Sequence, residues 1–315
     1  MLSYIVRRLV QTLITLFLVS VIVYFITMML PGNPVMALIG PEGASEEVIE
    51  HYRTKLGLDK PIYLQYFYWL KSFLQGELGT SIRNRVNVMT LFAQRFPVTL
   101  QLIVMGVVFA LLIAIPVGII SSIKPNSWFD AAGTLIAVSG VSIPRFLSGM
   151  IMILVFSIWL DWLPSAGYVS PFDSFWGSLR SLLMPAIALG GMLSAELMRQ
   201  LRSGLLEVLQ TEYVTTARSK GLPEWAVILK HATRNALIPV VTMLGMRIGR
   251  LIGGVVVVEL VFSLSGIGRL LMNAILFQDY PVLQTGLVMV AFSVTIMNLL
   301  ADISYSFLDP RVRYD

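Results

Sequence analysis

The sequence predicts an all-α, polytopic membrane protein with six transmembrane helices. Three observations carry that reading. Of 315 residues, 56% are hydrophobic and only 13% charged, whereas a soluble domain has about 25% charged residues. Long charge-free stretches recur at the length needed to cross a bilayer core, about 20 apolar residues of helix. The basic residues gather on the side that six crossings would place in the cytoplasm. The same composition, with a mean hydropathy of +0.79, excludes intrinsic disorder, which needs low hydrophobicity and high charge.

The first span is read over residues 9–30. It follows Arg7-Arg8 and carries no charge. It is too long for a signal-peptide core and lacks a small-residue cleavage pattern, so residues 1–8 are expected in the cytoplasm. Pro97 to Ile123 is the second charge-free stretch, with the span over 97–121. The third, 131–160, is interrupted by Pro144-Arg145. A split there would leave a first piece too short to cross at about 1.5 Å per residue, so one long, tilted or kinked helix is expected. The fourth span covers 182–201, the fifth 237–258 and the sixth 281–301. Both termini then lie inside, and residues 97–315 form the core of the protein. Arg199, Arg202, Arg218, Lys220, Lys230 and Arg234 surround one inner loop.

Two loops are more than connectors. In the outer segment 31–96, Ser45 is placed to cap a helix from Glu46 to Leu56, ended by Gly57. Pro61 can open a second helix carrying Tyr66, Phe67, Trp69 and Phe73. Its aromatics would lie on the membrane surface, meet a partner, or simply cover helix ends. The inner loop 203–235 is basic, amphipathic and helix-forming up to Gly221, with a further helix starting near Pro223. Such a helix–Gly–helix offers a rigid knob to a partner. As a bland alternative, it is a solvated basic loop that satisfies the positive-inside rule.

Much chemistry is missing. There is no cysteine, and the two histidines, His51 and His231, stand far apart, so thiolate and paired-histidine metal sites are not expected. No phosphate-cradling G-x-x-x-x-G-K-[ST], no H-E-x-x-H and no G-x-S-x-G occurs. No catalytic residue and no metal ligand is assigned, and nucleic acid is not an expected partner. The membrane carboxylates Glu196, Glu259 and Asp302 lie near span ends. A self-sufficient secondary carrier would keep acids near the midplane within inverted repeats.

The inner loop resembles the cytoplasmic "EAA" loop of ATP-binding-cassette importer permeases. Thr215-Thr216-Ala217 stands for Glu-Ala-Ala, followed by Arg218-Ser219-Lys220 and Gly221. That departure, with Tyr213-Val214 before it and His231-Ala232-Thr233-Arg234-Asn235-Ala236-Leu237-Ile238-Pro239 after it, is similar to the dipeptide, oligopeptide and nickel branch. Further strings of that branch follow in order. They include Leu30-Pro31-Gly32-Asn33-Pro34 (with Asn for Asp), Gly76-Glu77-Leu78-Gly79-Thr80-Ser81, Gly266-Ile267-Gly268-Arg269-Leu270, Asp279-Tyr280-Pro281 and Leu308-Asp309-Pro310-Arg311.

The resemblance implies the type I importer permease fold in a bacterial cytoplasmic (inner) membrane. It implies one of two homologous permease subunits, two cytoplasmic ATPase subunits that bind ATP and Mg, and an extracytoplasmic solute-binding protein. This chain itself would hold no cofactor and catalyse no reaction. The ATPase-coupling residues would be Tyr213, Thr215, Thr216, Ala217, Arg218, Lys220, Gly221 and Trp225, with Arg218 and Lys220 facing the ATPase. The substrate would be di- or oligopeptides, or else nickel, another metal–chelator complex, or glutathione.

Arg145, Arg247 and Arg250 are candidates for the translocation path. Arg247 and Arg250 are three apart and share a helix face. A cation in lipid costs about 2.5–3.5 kcal/mol on insertion scales, so they should face the bundle or a wet path. They would attract a carboxylate-bearing substrate, pair with Glu259 or with the second permease subunit, or snorkel towards the inner surface. Arg145 would stabilise the Pro144 kink or line the path. Gly245, Gly249, Gly253 and Gly254 are candidates for close contact with the second permease subunit.

Overall fold

The computed structural model describes residues 2–29, 35, 45–55 and 59–308. The side chains of 2–5, 52, 55, 136–139, 141, 250 and 300–308 lie outside that description, as do residues 30–34, 36–44 and 56–58 of the outer loop. Among the described residues the protein is helical. They form α1 (Leu2–Met28), α2 (Glu46–Lys55), α3 (Ile62–Leu74), α4 (Val88–Ile123), α5 (Trp128–Ser142), α6 (Arg145–Met152), α7 (Phe175–Val208), α8 (Glu212–Ser219), a short turn α9 (Glu224–Ala226), α10 (Thr233–Val261), α11 (Ile267–Leu276) and α12 (Tyr280–Leu308). Wider π turns continue α6 over Ile153–Trp159 and join α9 to α10 over Val227–Ala232. The only pairing of strand type described is an isolated bridge between Thr80 and Asn87.

Four described helices are long and apolar enough to cross a membrane: Val6–Met28, Val88–Ile123, Phe175–Val208 and Tyr280–Leu299. A fifth is added if the bent pair Glu224–Gly249 and Leu251–Val261 is one crossing. The third stretch departs from the single kinked helix expected over 131–160. It is two helices, broken at Pro144, whose φ of −57° and ψ of 141° place it outside the α region. The ring excludes residue 143 from the α region and removes a backbone donor, and the length argument from the sequence did not weigh that. Helices also run past the apolar windows: α4 begins at Val88 and α7 at Phe175. Hydropathy marks what meets lipid, not where a helix starts.

The chain divides into two compact units, Met1–Val98 with Ser265–Ile296, and Thr99–Leu264 with Met297–Asp315. In the first, α1 turns its polar and aromatic side inward. Ser20, Tyr24 and Thr27, spaced on one face, are buried, while Leu13, Ile14, Phe17, Leu18, Ile22 and Ile26 are exposed. That inversion suits a helix bathed in lipid. Pro61 caps α3, and α3 lies against α1: the Ser20 and Tyr66 hydroxyls share a hydrogen bond of 2.9 Å, and the Tyr66 ring meets Tyr24 edge-on at 5.5 Å. Tyr66 and Trp69 of α3 therefore fasten the first span, while Tyr63, Phe67 and Tyr68 stay exposed. Ser45 Oγ accepts from the Val48 N–H at 3.4 Å at the head of α2. A second core joins α4, α11 and α12 through Val88, Leu91, Ala274, Val282 and Leu283.

In the second unit, α7 is the central helix. It packs on α5, α6 and α10, and its inner side from Leu182 to Leu205 is buried. Its crossing with α4 depends on glycine. A Cβ on Gly190 would overlap the carbonyl of Gly106, whereas one on Gly191 would meet nothing within 4 Å. Near the start of α5, Asp130 takes a two-pronged contact from Arg202 of α7, with Nε and Nη2 each at 2.7 Å. Asp130 also accepts from the Asn126 N–H at 3.0 Å. The Gly190/Gly191 pair gives a direct test of helix packing. Gly190→Ala should lower stability by about 1–3 kcal/mol through overpacking, and Gly191→Ala should change it little, read as thermal unfolding midpoints of the purified protein.

Candidate functional site

The inner loop begins where α7 ends. Thr211 leads into α8, and Arg218, Ser219 and Lys220 bring it to Gly221, whose φ is +74°. An L side chain is strained there by about 1–2 kcal/mol, so glycine is what lets the chain reverse. Pro223 then starts α9 with the φ that a first helical turn needs. The buried face of α8 is Val214 and Ala217, which close on Val227 of the π turn with Val208 and Leu209 behind them. Tyr213, Thr215, Thr216, Arg218, Lys220, Gly221 and Trp225 are exposed. Ala217 is thus the one coupling candidate that faces inward, and it anchors the helix to the body.

Two contacts set the loop's shape. Arg218 donates to the Glu224 carboxylate from Nη2 at 2.7 Å and from Nε at 3.2 Å, bridging Gly221. This hydrogen bond holds the Glu224 carboxyl below its ordinary value and raises the Arg218 guanidinium. The clasp is therefore complete above the ordinary carboxylate range and opens only as pH falls through the lowered Glu224 value. Both partners are exposed, so the pair fixes geometry more than it adds stability. Arg218, for which the family resemblance implies acidic or backbone partners on the ATPase, is engaged here by Glu224 of its own loop. The second contact runs from Asn235 Nδ2 to the Tyr213 hydroxyl at 2.8 Å. Lys220 and Trp225 remain on the surface, Trp225 68% exposed. Sequence reading missed Glu224, although a carboxylate six residues from Arg218 across a Gly-x-Pro turn was there to find.

Farther along the same helices lies a cavity of about 510 Å³. Arg145 and Arg247 line it together, with Glu196, Met192, Leu251 and Gly254. The partner of Arg247 is Glu196 of α7, Nε to Oε2 at 2.9 Å, not Glu259 as the sequence suggested. Glu259 is fully buried and accepts from the Thr99 hydroxyl at 2.6 Å. The Arg145 side chain reaches past Met192, with Nη2 4.0 Å from its sulfur, and its buried Nε has no hydrogen-bond partner. Gly254 makes room for it, since a Cβ there would overlap the guanidinium. Gly249 likewise faces Asn298 within this chain. These two glycines serve internal packing rather than the intersubunit contact expected of them, while Gly253 has open space. Arg250 belongs to α10, but its side chain lies outside the described residues. Among the described residues, no group of three or more His, Asp or Glu is placed to hold a metal ion.

Residues 114–314 match the binding-protein-dependent transport system inner membrane component family. Residues 1–103 match the N-terminal region of such transport-system membrane components. The chain belongs to this family. It is similar to the glutathione transport system permease protein GsiC of Escherichia coli (strain K12), 41% identical over 314 residues and the full length of both chains. The GsiC protein of Shigella boydii serotype 4 (strain Sb227) is 40% identical over the same span. The fold resembles that of the MetNI methionine ABC transporter in an inward-facing conformation, with a TM-score of 0.56 at 16% identity, covering 70% of this chain and 97% of that one. It also resembles an amino acid ABC transporter crystallised with histidines, with a TM-score of 0.52 at 13% identity, covering 71% and 94%.

The chain is accordingly an importer permease of the peptide/nickel branch, an all-α multi-pass protein of the inner membrane whose role is transport. Within that permease the Glu196–Arg247 pair can be tested by removal. Glu196→Gln should cost about 1.5–3 kcal/mol, because it leaves a charged donor short of its acceptor. The double change Glu196→Gln with Arg247→Gln should recover part of that loss in a thermal double-mutant cycle.

Proposed function

We propose that this permease carries short peptides inward at the expense of ATP, and that glutathione, a tripeptide, is the first substrate to test. Full-length similarity to permeases named for glutathione supports the substrate. In this reading two cytoplasmic ATPase subunits bind ATP and Mg and grip the loop 203–235. A second, homologous permease subunit completes the path, and an extracytoplasmic solute-binding protein delivers the cargo. Both termini face the cytoplasm, and the chain itself carries no cofactor.

The observation that carries the proposal is the construction of α8. One face is locked to the end of α7 by Val214 and Ala217, and the other presents Tyr213, Thr215, Thr216, Lys220 and, across the glycine turn, Trp225. A helix held this way moves as a rigid part of α7 and α10 when a partner pulls it. Closing of the ATPases would then rock both helices and change access to the cavity around Arg145 and Arg247. The two arginines, sharing one carboxylate between them, give that cavity a positive surplus suited to an anionic cargo.

Gly221→Val tests the lever. The variant forces a β-branched residue to a φ of +74°, which L residues avoid. ATP hydrolysis by the assembled transporter should persist while uptake of labelled glutathione collapses. Full uptake at normal expression would contradict the role given to this turn.

A further inference from the structure

A second cavity, of about 330 Å³, lies wholly within the first unit. It takes in the start of α11 and the loop before α4, and Arg83, Asn84, Arg95, Arg269, Asn273 and Asp279 line it. Its size falls within the range of small-ligand pockets, about 300–1,000 Å³. Two of the lining arginines, Arg83 and Arg95, share the wall with one carboxylate, Asp279, which is already engaged. Asp279 accepts from the Ser81 hydroxyl and from the backbone N–H groups of Ile82, at 3.1 Å, and Arg83, at 3.5 Å. Asp279 therefore pins the loop that carries Arg83 and Asn84.

Arg83 and Arg95 are held but not neutralised. Arg83 stacks on the Phe277 ring, 3.3 Å from its centroid, which fixes the plane of the fork and leaves its edge open. Arg95 donates from Nη1 to the Ser265 carbonyl at 3.3 Å, and its buried Nε has no hydrogen-bond partner. Among the described residues neither Arg83 nor Arg95 forms an ion pair with a carboxylate. Arg269 and Asn273 stand one turn apart on α11, whose opposite face, Ile267 and Leu271, is sealed into the core with Phe92. Gly266 opens α11 on the cavity wall, so the helix N-terminus adds partial positive charge to the same space. Planar forks, an orphan N–H and a helix start together match the geometry of a carboxylate.

We propose that this cavity is a binding site for the carboxylate of a small anionic ligand, of the kind borne by a peptide C-terminus. The assignment rests on the short-peptide reading above. In the proposed orientation the site opens on the extracytoplasmic side, where cargo arrives before it enters the membrane path. A concave pocket of about 330 Å³ rather than a flat patch favours a small ligand over an acidic side chain of the binding protein.

The test uses the complete transporter in nanodiscs, without binding protein, titrated calorimetrically with glutathione, with trialanine and with trialanine amide. At least one free acid should bind, and the amide should bind about tenfold more weakly than trialanine or not at all. Arg95→Gln and, separately, the rim variant Arg83→Gln should each weaken the acids about tenfold and leave the amide unchanged. The rim variant preserves the test should Arg95→Gln fail to assemble. Absence of binding by both acids, or equal binding by wild type and both variants, overturns the site. So does a variant that keeps its affinity for the acids but no longer captures the binding protein. ATP-driven uptake is measured with the same variants in proteoliposomes supplied with the solute-binding protein. Transport with Arg-independent binding rejects the pocket alone, and Arg-dependent binding with no peptide transport rejects the substrate reading alone.

Discussion

Charges inside an apolar bundle are costly unless paired, and in the second unit two such pairs are made along one helix. α7 carries Glu196 and Arg202 on its cytoplasmic half in the proposed orientation. Glu196 holds Arg247 of α10, and Arg202 holds Asp130 at the head of α5. Separating either pair would leave an ion facing low dielectric, a cost of several kcal/mol. α5, α7 and α10 are thus coupled where the inner loop attaches. The loop inherits that rigidity because α8 begins four residues after α7 ends and buries Val214 and Ala217 against it.

In the proposed mechanism, this arrangement would let a short exposed helix act at a distance. A pull on Tyr213 or Trp225 would reach Glu196 through α7 and Arg247 through α10. The glycine turn at 221 is the one place where the loop reverses, and the Arg218–Glu224 clasp keeps the two sides of that turn in register. The cavity around Arg145 lies between α6, α7 and α10, so a small rotation of α7 against α10 changes its walls. Gly254 leaves the Arg145 guanidinium space that any side chain would remove.

Much of this was readable from the chain alone. Apolar length and the absence of charge marked out the long helices. Ser45, Pro61, Gly221 and Pro223 announced the turns they occupy, because capping, fixed φ and left-handed backbone are local properties. What was not readable was non-local. Nothing in one dimension assigns Arg247 to Glu196 rather than to Glu259, since both carboxylates are equally plausible until the helices are packed. The break at Pro144 lost to an argument from length, although the restriction on the residue before proline pointed to it. α11 shows its period plainly in Ile267, Leu270, Leu271, Ala274 and Ile275, but at ten residues it is too short to register in a reading made by apolar length. The Arg83–Arg95–Arg269 cluster comes together only because α11 folds against the start of α4.

The central claim is that residues 203–235 are a rigid handle on the cytoplasmic face, held by an ATPase. Because the chain has no cysteine, a single Trp225→Cys variant reports this position alone. In membranes containing the assembled transporter, a short cross-linker at that position should join the permease to an ATPase subunit, and a membrane-impermeant maleimide added to intact cells should not label it. Labelling from outside, or cross-linking to the solute-binding protein instead, would contradict the account.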